Sequence, residues 1–189
     1  MNIGLFFGSF NPIHTGHLII ASTVSNTFAL DNIWFVVSPQ NPLKEKSELL
    51  ASESRFQMVE KAIAEDPRLK ASDIEFNLPL PSYTIDTLAY LENTYPLNQF
   101  YLILGSDAFQ ALPQWKNHEQ LLTKKIIVYL RPGYPIAAKS ISNNIAVLKS
   151  PLLELSSTEI RRLIKAKKSI RYLTPQPIIE IIERNGFYM

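Results

Sequence analysis

Short apolar runs bounded by turn residues recur along the chain, and between them lie longer stretches whose apolar positions return every three or four residues. Ile3-Gly4-Leu5-Phe6-Phe7 is a run of strand formers ended by Gly8. Ile33 to Val37 is a second such run, closed by Ser38-Pro39, and Leu69 to Phe76 is a weaker third. Phe100 to Leu104 ends at Gly105, Ile126 to Leu130 ends at Arg131-Pro132-Gly133, and Ile145 to Leu148 is short. Helical stretches are predicted from Thr15 to Ala29, from Ser52 to Glu65, from Thr84 through Leu91, from Ser157 to Lys167 and from Pro177 to Arg184. In the second of these, Phe56, Val59 and Ile63 share the apolar face, with Glu53 and Arg55 exposed.

Strands alternating with helices predict βαβ units. The expected fold is α/β: a Rossmann-like, doubly wound, mostly parallel sheet with helices on both faces and a short C-terminal helical appendage. One domain is expected over 1–189, with an α/β core over 1–150 and a helical part over 151–189 that is too short for a core of its own. Ligands of such sheets bind beyond the carboxyl ends of the strands, at a topological switch point. The loops expected there hold Ser9, His14, His17, Asn41, Lys44, Ser106, Asp107 and Arg131.

Composition narrows the chemistry. The 189 residues are 46% hydrophobic and 19% charged, enough for a sizeable core. With no cysteine, disulfide frameworks, zinc ribbons, iron–sulfur clusters and thiol catalysis are all excluded. A net charge of +2 makes no bulk case for nucleic acid or membrane partners. No segment is apolar over the ~18 residues of a membrane span, and the N-terminus lacks the basic region of a signal peptide, so the cytoplasm is the expected location.

Two of only three histidines, His14 and His17, fall within four residues of each other. The segment Gly8-Ser9-Phe10-Asn11-Pro12 leads from a strand into a helix start, with Gly8 expected to let the backbone turn sharply. Residues three apart share a helix face. Helix N-termini attract phosphate, and two imidazoles there would add donors aimed at charge building up in a phosphoryl transition state. Two other readings remain. The pair could ligate a metal, although no third ligand stands nearby, or they could be ordinary residues at a helix cap. The loop is neither a dinucleotide glycine fingerprint nor a Walker loop.

Gly8-Ser9-Phe10-Asn11-Pro12-Ile13-His14-Thr15-Gly16-His17 resembles the signature of the nucleotidyltransferase superfamily, whose core is His-x-Gly-His. Leu155-Ser156-Ser157-Thr158-Glu159-Ile160-Arg161 resembles its second signature, about 140 residues later and in the expected order. In physical terms, this second segment offers Ser/Thr caps to a helix start and the planar fork of Arg161 to phosphate oxygens; alternatively it is a plain cap with a solvated arginine.

Further segments resemble the nicotinate-nucleotide adenylyltransferases of bacteria. They are Pro81-Ser82-Tyr83-Thr84-Ile85-Asp86-Thr87-Leu88, Gly105-Ser106-Asp107, Leu112-Pro113-Gln114-Trp115-Lys116, Arg131-Pro132-Gly133 and Asn41-Pro42-Leu43-Lys44. In the last of these, Leu43 stands where the family usually has histidine. The resemblance covers almost the whole chain. It implies adenylyl transfer from ATP to nicotinate mononucleotide, with Mg²⁺ carried on the triphosphate and no metal cage in the protein. His14 and His17 would be catalytic. Gly8, Ser9, Phe10, Ser156, Thr158 and Arg161 would join them on ATP. Lys44, Thr84, Asp107, Trp115, Lys116 and Arg131 would hold the acceptor, Trp115 as a stacking face and the backbone near Thr84 and Lys116 gripping the nicotinate carboxylate. The plain alternatives are a core aromatic for Trp115, helix caps for Thr84 and Asp107, and a solvated side chain for Lys44. Nicotinamide mononucleotide and phosphopantetheine are the alternative acceptors, and a nucleotide-binding module without turnover is the alternative of a different class.

Overall fold

All six apolar runs become strands, and every strand pairing is parallel. The structure, a computed structural model, describes residues 1–40, 49–137, 142–149, 151 and 154–189. The strands are β1 (Asn2–Gly8), β2 (Asn32–Val37), β3 (Leu69–Ser72), β4 (Gln99–Gly105), β5 (Lys125–Tyr129) and β6 (Ile145–Leu148). Their order across the sheet is β3-β2-β1-β4-β5-β6. The chain winds outward from β1 to β3, returns to pair β4 with β1, and winds outward the other way. The switch point therefore lies between β1 and β4. Register levels the carboxyl ends: Gly8 lies opposite Val37, and Gly105 opposite Tyr129.

Among the described residues seven α-helices cover the two faces: α1 (Thr15–Thr27), α2 (Ser52–Ile63), α3 (Thr84–Thr94), α4 (Ser106–Ala111), α5 (His118–Leu122), α6 (Ser157–Lys165) and α7 (Gln176–Asn185). The period-two alternation of each strand sorts its side chains between two cores. Phe6, Ile33, Phe35, Ile103 and Ile127 face a core shared with α1, α2, α6 and α7. Ile3, Leu5, Leu102, Leu104 and Val128 face another, closed by α3, α4 and α5. The C-terminal helices contribute buried Ile160, Ile178, Ile179 and Ile182 to the first core. Each such side chain contributes about 1.5–3 kcal/mol on burial, which anchors the final segment in that core.

Three expectations need correction. The third strand stops at Ser72, and Ile74–Asn77 form a 3₁₀ turn in which the amide of Phe76 bonds back to the Asp73 carbonyl. The short helix α5 lies where the sequence predicts none, and α4 is foreseen only through the cap alternative for Asp107. Arg55, expected at the surface, is fully buried. It stands on the buried stripe of α2 with Met58, Val59 and Ile63, at helical spacing.

Candidate active site

The loop after β1 is shaped by one close approach and one unusual backbone angle. A Cβ on Gly8 would come within 2.8 Å of the Phe10 ring, so glycine is needed there for space. The sharp turn expected at Gly8 falls instead at Phe10, whose φ is +44°. That angle is costly for a bulky residue, and the burial of the ring offsets it. The Phe10 ring packs 5.5 Å from Phe35 and meets the His17 ring edge-on at 5.0 Å. Gly8 and Phe10, expected on ATP, thus do not line the cleft described below; Phe10 backs the histidine that does.

His14 is the extended residue before α1, and His17 lies in its first turn. The backbone N–H of His14 donates to Nδ1 of His17 at 3.2 Å. A ring accepting at Nδ1 carries its proton on Nε2, so neutral His17 is fixed as an Nε2–H donor. The two rings stack, with centroids 3.7 Å apart and planes inclined by 24°. Gly16 leaves room for this: a Cβ there would press to 3.0 Å from Nδ1 of His14. His14 is only 5% exposed, and its Nδ1 is buried with no hydrogen-bond partner among the described residues. Burial first, and the charge of Arg131 second, pull its pKa down to about 4. His14 is therefore neutral at physiological pH.

The second signature folds against the first. Ser156 caps α6, its Oγ accepting from the Glu159 amide at 3.2 Å. Ser157 Oγ donates to the Pro12 carbonyl at 2.9 Å, and Arg161 Nη1 donates to the Asn11 carbonyl at 3.0 Å. The segment between α6 and α7 adds three bonds: Thr174 Oγ1 donates to the Ile13 carbonyl at 2.8 Å, the Thr15 amide donates to the Leu173 carbonyl at 2.9 Å, and Thr15 Oγ1 donates to the Tyr172 carbonyl at 3.0 Å. Between the signatures opens a cleft of about 690 Å³ that includes Ser9, His14, His17, Ser156, Thr158 and Arg161 in its lining. Arg131, expected with the acceptor residues, lines this cleft as well. No Asp or Glu lines it among the described residues.

Arg131 enters from the end of β5. Its amide donates to buried Ser106 Oγ at 2.9 Å, and its Nη1 pairs with Asp107 Oδ2 at 2.9 Å. Asp107 lies in the first turn of α4, whose cap is Gly105, so the plain-cap alternative for Asp107 fails. Among the described residues no group of three His, Asp or Glu side chains could hold a metal ion. The histidine rings are stacked and one Nδ1 is engaged, so the donor set suits phosphate oxygens.

Thr84, Trp115 and Lys116 form a second group, outside this cleft. Thr84 is the first residue of α3 and Tyr83 its cap, so the cap alternative for Thr84 shifts by one. Lys116 Nζ pairs with Asp86 of the same helix turn at 2.7 Å and lies 4.8 Å above the Tyr83 ring. Trp115 is half-buried against the second core, and its indole N–H is buried with no partner among the described residues, as is that of Trp34. Lys44 lies outside the described residues.

Two supporting residues escape the sequence reading. The Arg55 guanidinium donates to the carbonyls of Leu50, Ser9, Ser38 and Pro39 at 2.6–3.1 Å, tying the loop after β1 to the loop after β2. Burial brings its pKa down to about 10, still charged at neutral pH. A cation on an otherwise apolar helical stripe was the available signal. The hydroxyl of Tyr188, near the end of the chain, donates to Asn11 Oδ1 at 2.8 Å, and burial holds it well above the usual phenol range. Nothing in the local sequence marks that contact.

Comparison with known proteins agrees with this geometry. Residues 5–163 match the cytidylyltransferase-like family. A protein of Cytophaga hutchinsonii, named a probable nicotinate-nucleotide adenylyltransferase, is 50% identical over 189 residues, covering 100% of this chain and 98% of its own. A protein of the same name from Thermus thermophilus is 40% identical, covering 100% of both chains. A solved structure of the Plasmodium falciparum nicotinic acid mononucleotide adenylyltransferase complexed with NaAD matches with a TM-score of 0.87 at 23% identity, covering 99% of this chain and 97% of that one. At that identity the likeness establishes the fold. The His-x-Gly-His loop, the sheet order and these relatives converge: the chain belongs to the cytidylyltransferase-like nucleotidyltransferases and, within them, to the nicotinate-nucleotide adenylyltransferases.

Proposed function

We propose that this chain transfers the adenylyl group of ATP to the 5′-phosphate of nicotinate mononucleotide, a step of NAD biosynthesis. A phosphate oxygen of the acceptor attacks the α-phosphorus in line, the α–β bridging bond breaks, and pyrophosphate departs with the electron pair. The nucleophile is already anionic near pH 7, so no strong general base is required. Catalysis then rests on positioning and on charge stabilisation.

The observation that carries this reading is the cleft between the two signatures, which presents two imidazoles, two arginines and a helix start with no acidic side chain among its described lining residues. Such a cleft suits a polyanion. His17, held as an Nε2–H donor, is assigned to the α-phosphate, where charge develops. His14, neutral and stacked on it, is assigned to the neighbouring phosphates. Arg131, Arg161, Thr158, Ser156 and Ser9 complete the ATP grip. Mg²⁺ bound to the triphosphate would neutralise charge on the leaving pyrophosphate. The group at Thr84, Trp115 and Lys116 is assigned to the nicotinate ring, with backbone N–H groups at the α3 start and near Lys116 receiving the carboxylate. Asp107 and Lys44 are assigned to the acceptor's sugar and phosphate. The expected location is the cytoplasm; no helix among the described residues is long and apolar enough to cross a membrane.

The test is a side-by-side measurement of pyrophosphate release from ATP with nicotinate mononucleotide, nicotinamide mononucleotide and phosphopantetheine. Fastest turnover with nicotinate mononucleotide is expected. Faster turnover with either of the others would reassign the acceptor, and no release with any would remove the catalytic reading.

A further inference from the structure

Beneath the α3 start lies a carboxyl group that the reaction does not use. Glu75, in the 3₁₀ turn Ile74–Asn77, is 2% exposed. Its two oxygens are each taken by one hydroxyl: Ser82 Oγ donates to Oε2 and Thr87 Oγ1 donates to Oε1, both at 2.8 Å. Ser82 and Thr87 are themselves buried. No Lys or Arg pairs with Glu75 among the described residues. Burying a carboxylate away from cations is costly, and an apolar side chain of similar volume would fill the space at less cost. What the carboxylate provides and an apolar residue would not is direction, because two hydroxyls must converge on it from fixed positions.

Those positions bracket the acceptor turn. Ser82 directly precedes Tyr83 and Thr84, and Thr87 lies one helical turn further on. The amides of Asp86 and Thr87 bond back to the Tyr83 carbonyl, closing the turn between the two anchors. The same turn holds the second acceptor segment, since Asp86 and Tyr83 both engage Lys116. We infer that Glu75 is a positioning residue for acceptor selectivity: through Ser82 and Thr87 it sets where the backbone N–H groups at the start of α3 stand, and so how well the site separates a ring carboxylate from a ring amide. The inference rests on the assignment of that turn to the nicotinate carboxylate. It also gives the hydroxyls at 82 and 87 a purpose, as anchors that never touch substrate.

The experiment compares the full-length protein with Glu75→Gln, Ser82→Ala and the double variant. For each, KM is measured separately for nicotinate mononucleotide and for ATP, kcat/KM is compared between the nicotinate and nicotinamide mononucleotides, and folding is followed by circular dichroism. Each single variant is expected to raise KM for nicotinate mononucleotide about tenfold, the scale of a lost charge-assisted hydrogen bond. The acid-over-amide ratio falls by a similar factor, and KM for ATP moves less than about twofold, because the phosphate cleft is not touched. The double variant is no worse than the worse single variant, because both act through one contact. Folded variants with wild-type KM for nicotinate mononucleotide overturn the inference. So does a parallel rise in both KM values, the mark of general loosening, and so does full additivity in the double variant. Ser82→Ala removes one hydroxyl and no charge, and decides alone if Glu75→Gln does not fold. A wild-type protein that uses acid and amide equally would sink the carboxylate assignment and this inference with it; a selective wild type with equally selective variants would sink the inference alone.

Discussion

The two halves of the site are built in different ways. The half assigned to phosphate is made mainly of buried or half-buried groups held by their neighbours, with Thr158 exposed at its rim. His14 and His17 stack on each other, Phe10 backs His17, and hydrogen bonds from Ser157, Arg161 and Thr174 fasten the loop over residues 11–13. The acceptor half is a helix start and a short segment near Trp115, joined at the surface by an ion pair whose members are both about half exposed. The contrast matches two demands. Stabilising charge at a moving phosphorus requires donors that do not reorganise, and close packing supplies them. Distinguishing one flat ring from another requires few groups, placed by local contacts.

The comparison predicts large effects in the first half and small ones in the second, and each can break it. His17→Ala should lower kcat by about two to three orders of magnitude, the cost of a lost oxyanion-type donor, with the fold intact by circular dichroism. A folded variant with near-normal turnover would remove the rigid-donor argument. Arg55→Met strands four carbonyls and should lower the unfolding free energy by roughly 3 kcal/mol or more in urea titration. A loss under about 1 kcal/mol would mean the two loops hold together without it.

The pH dependence of stability tests His14. Its folded pKa of about 4 lies below the ordinary 6.5, so the unfolded chain binds the proton more readily between those values. This contribution is fully present above pH 6.5 and is lost as pH falls towards 4, an expected decrease of about 3 kcal/mol. His14→Gln should flatten that slope; an unchanged slope would show that His14 is not the group titrating. The smallest effect is at the surface. Lys116→Met removes an exposed ion pair, and its cost in thermal unfolding should be under about 1 kcal/mol. Its backbone N–H remains, so KM for nicotinate mononucleotide should change by no more than about twofold; a tenfold rise would show that the charge itself binds the acceptor.

Much of the fold was legible because it depends on period. The strand runs at Ile3, Ile33, Phe100 and Ile126 are short and apolar, and only a sheet buried on both faces accommodates them in this alternation with helices. The failures have local causes. The strand expected to reach Phe76 is cut short by the 3₁₀ turn after Asp73. Glycine permits a sharp turn, which points to Gly8, but the turn falls at Phe10, where burial of the ring offsets the strained backbone. Charge alone puts Arg55 at the surface; four carbonyls from converging loops reverse that preference, and only the fold brings them together.

The sequence by itself determined the fold class, the strand–loop–helix that carries His14 and His17, and the two signatures whose joint presence marks the family. Those features are local, and spacing along the chain suffices to see them. The tertiary structure alone decided that the late signature closes over the early one, that Tyr188 reaches Asn11, that Arg131 lines the cleft between the signatures, and that Glu75 receives the hydroxyls of Ser82 and Thr87. Each of these joins segments far apart in the chain, or depends on which groups burial leaves without water, and the stability of such contacts is set by the environment that folding creates.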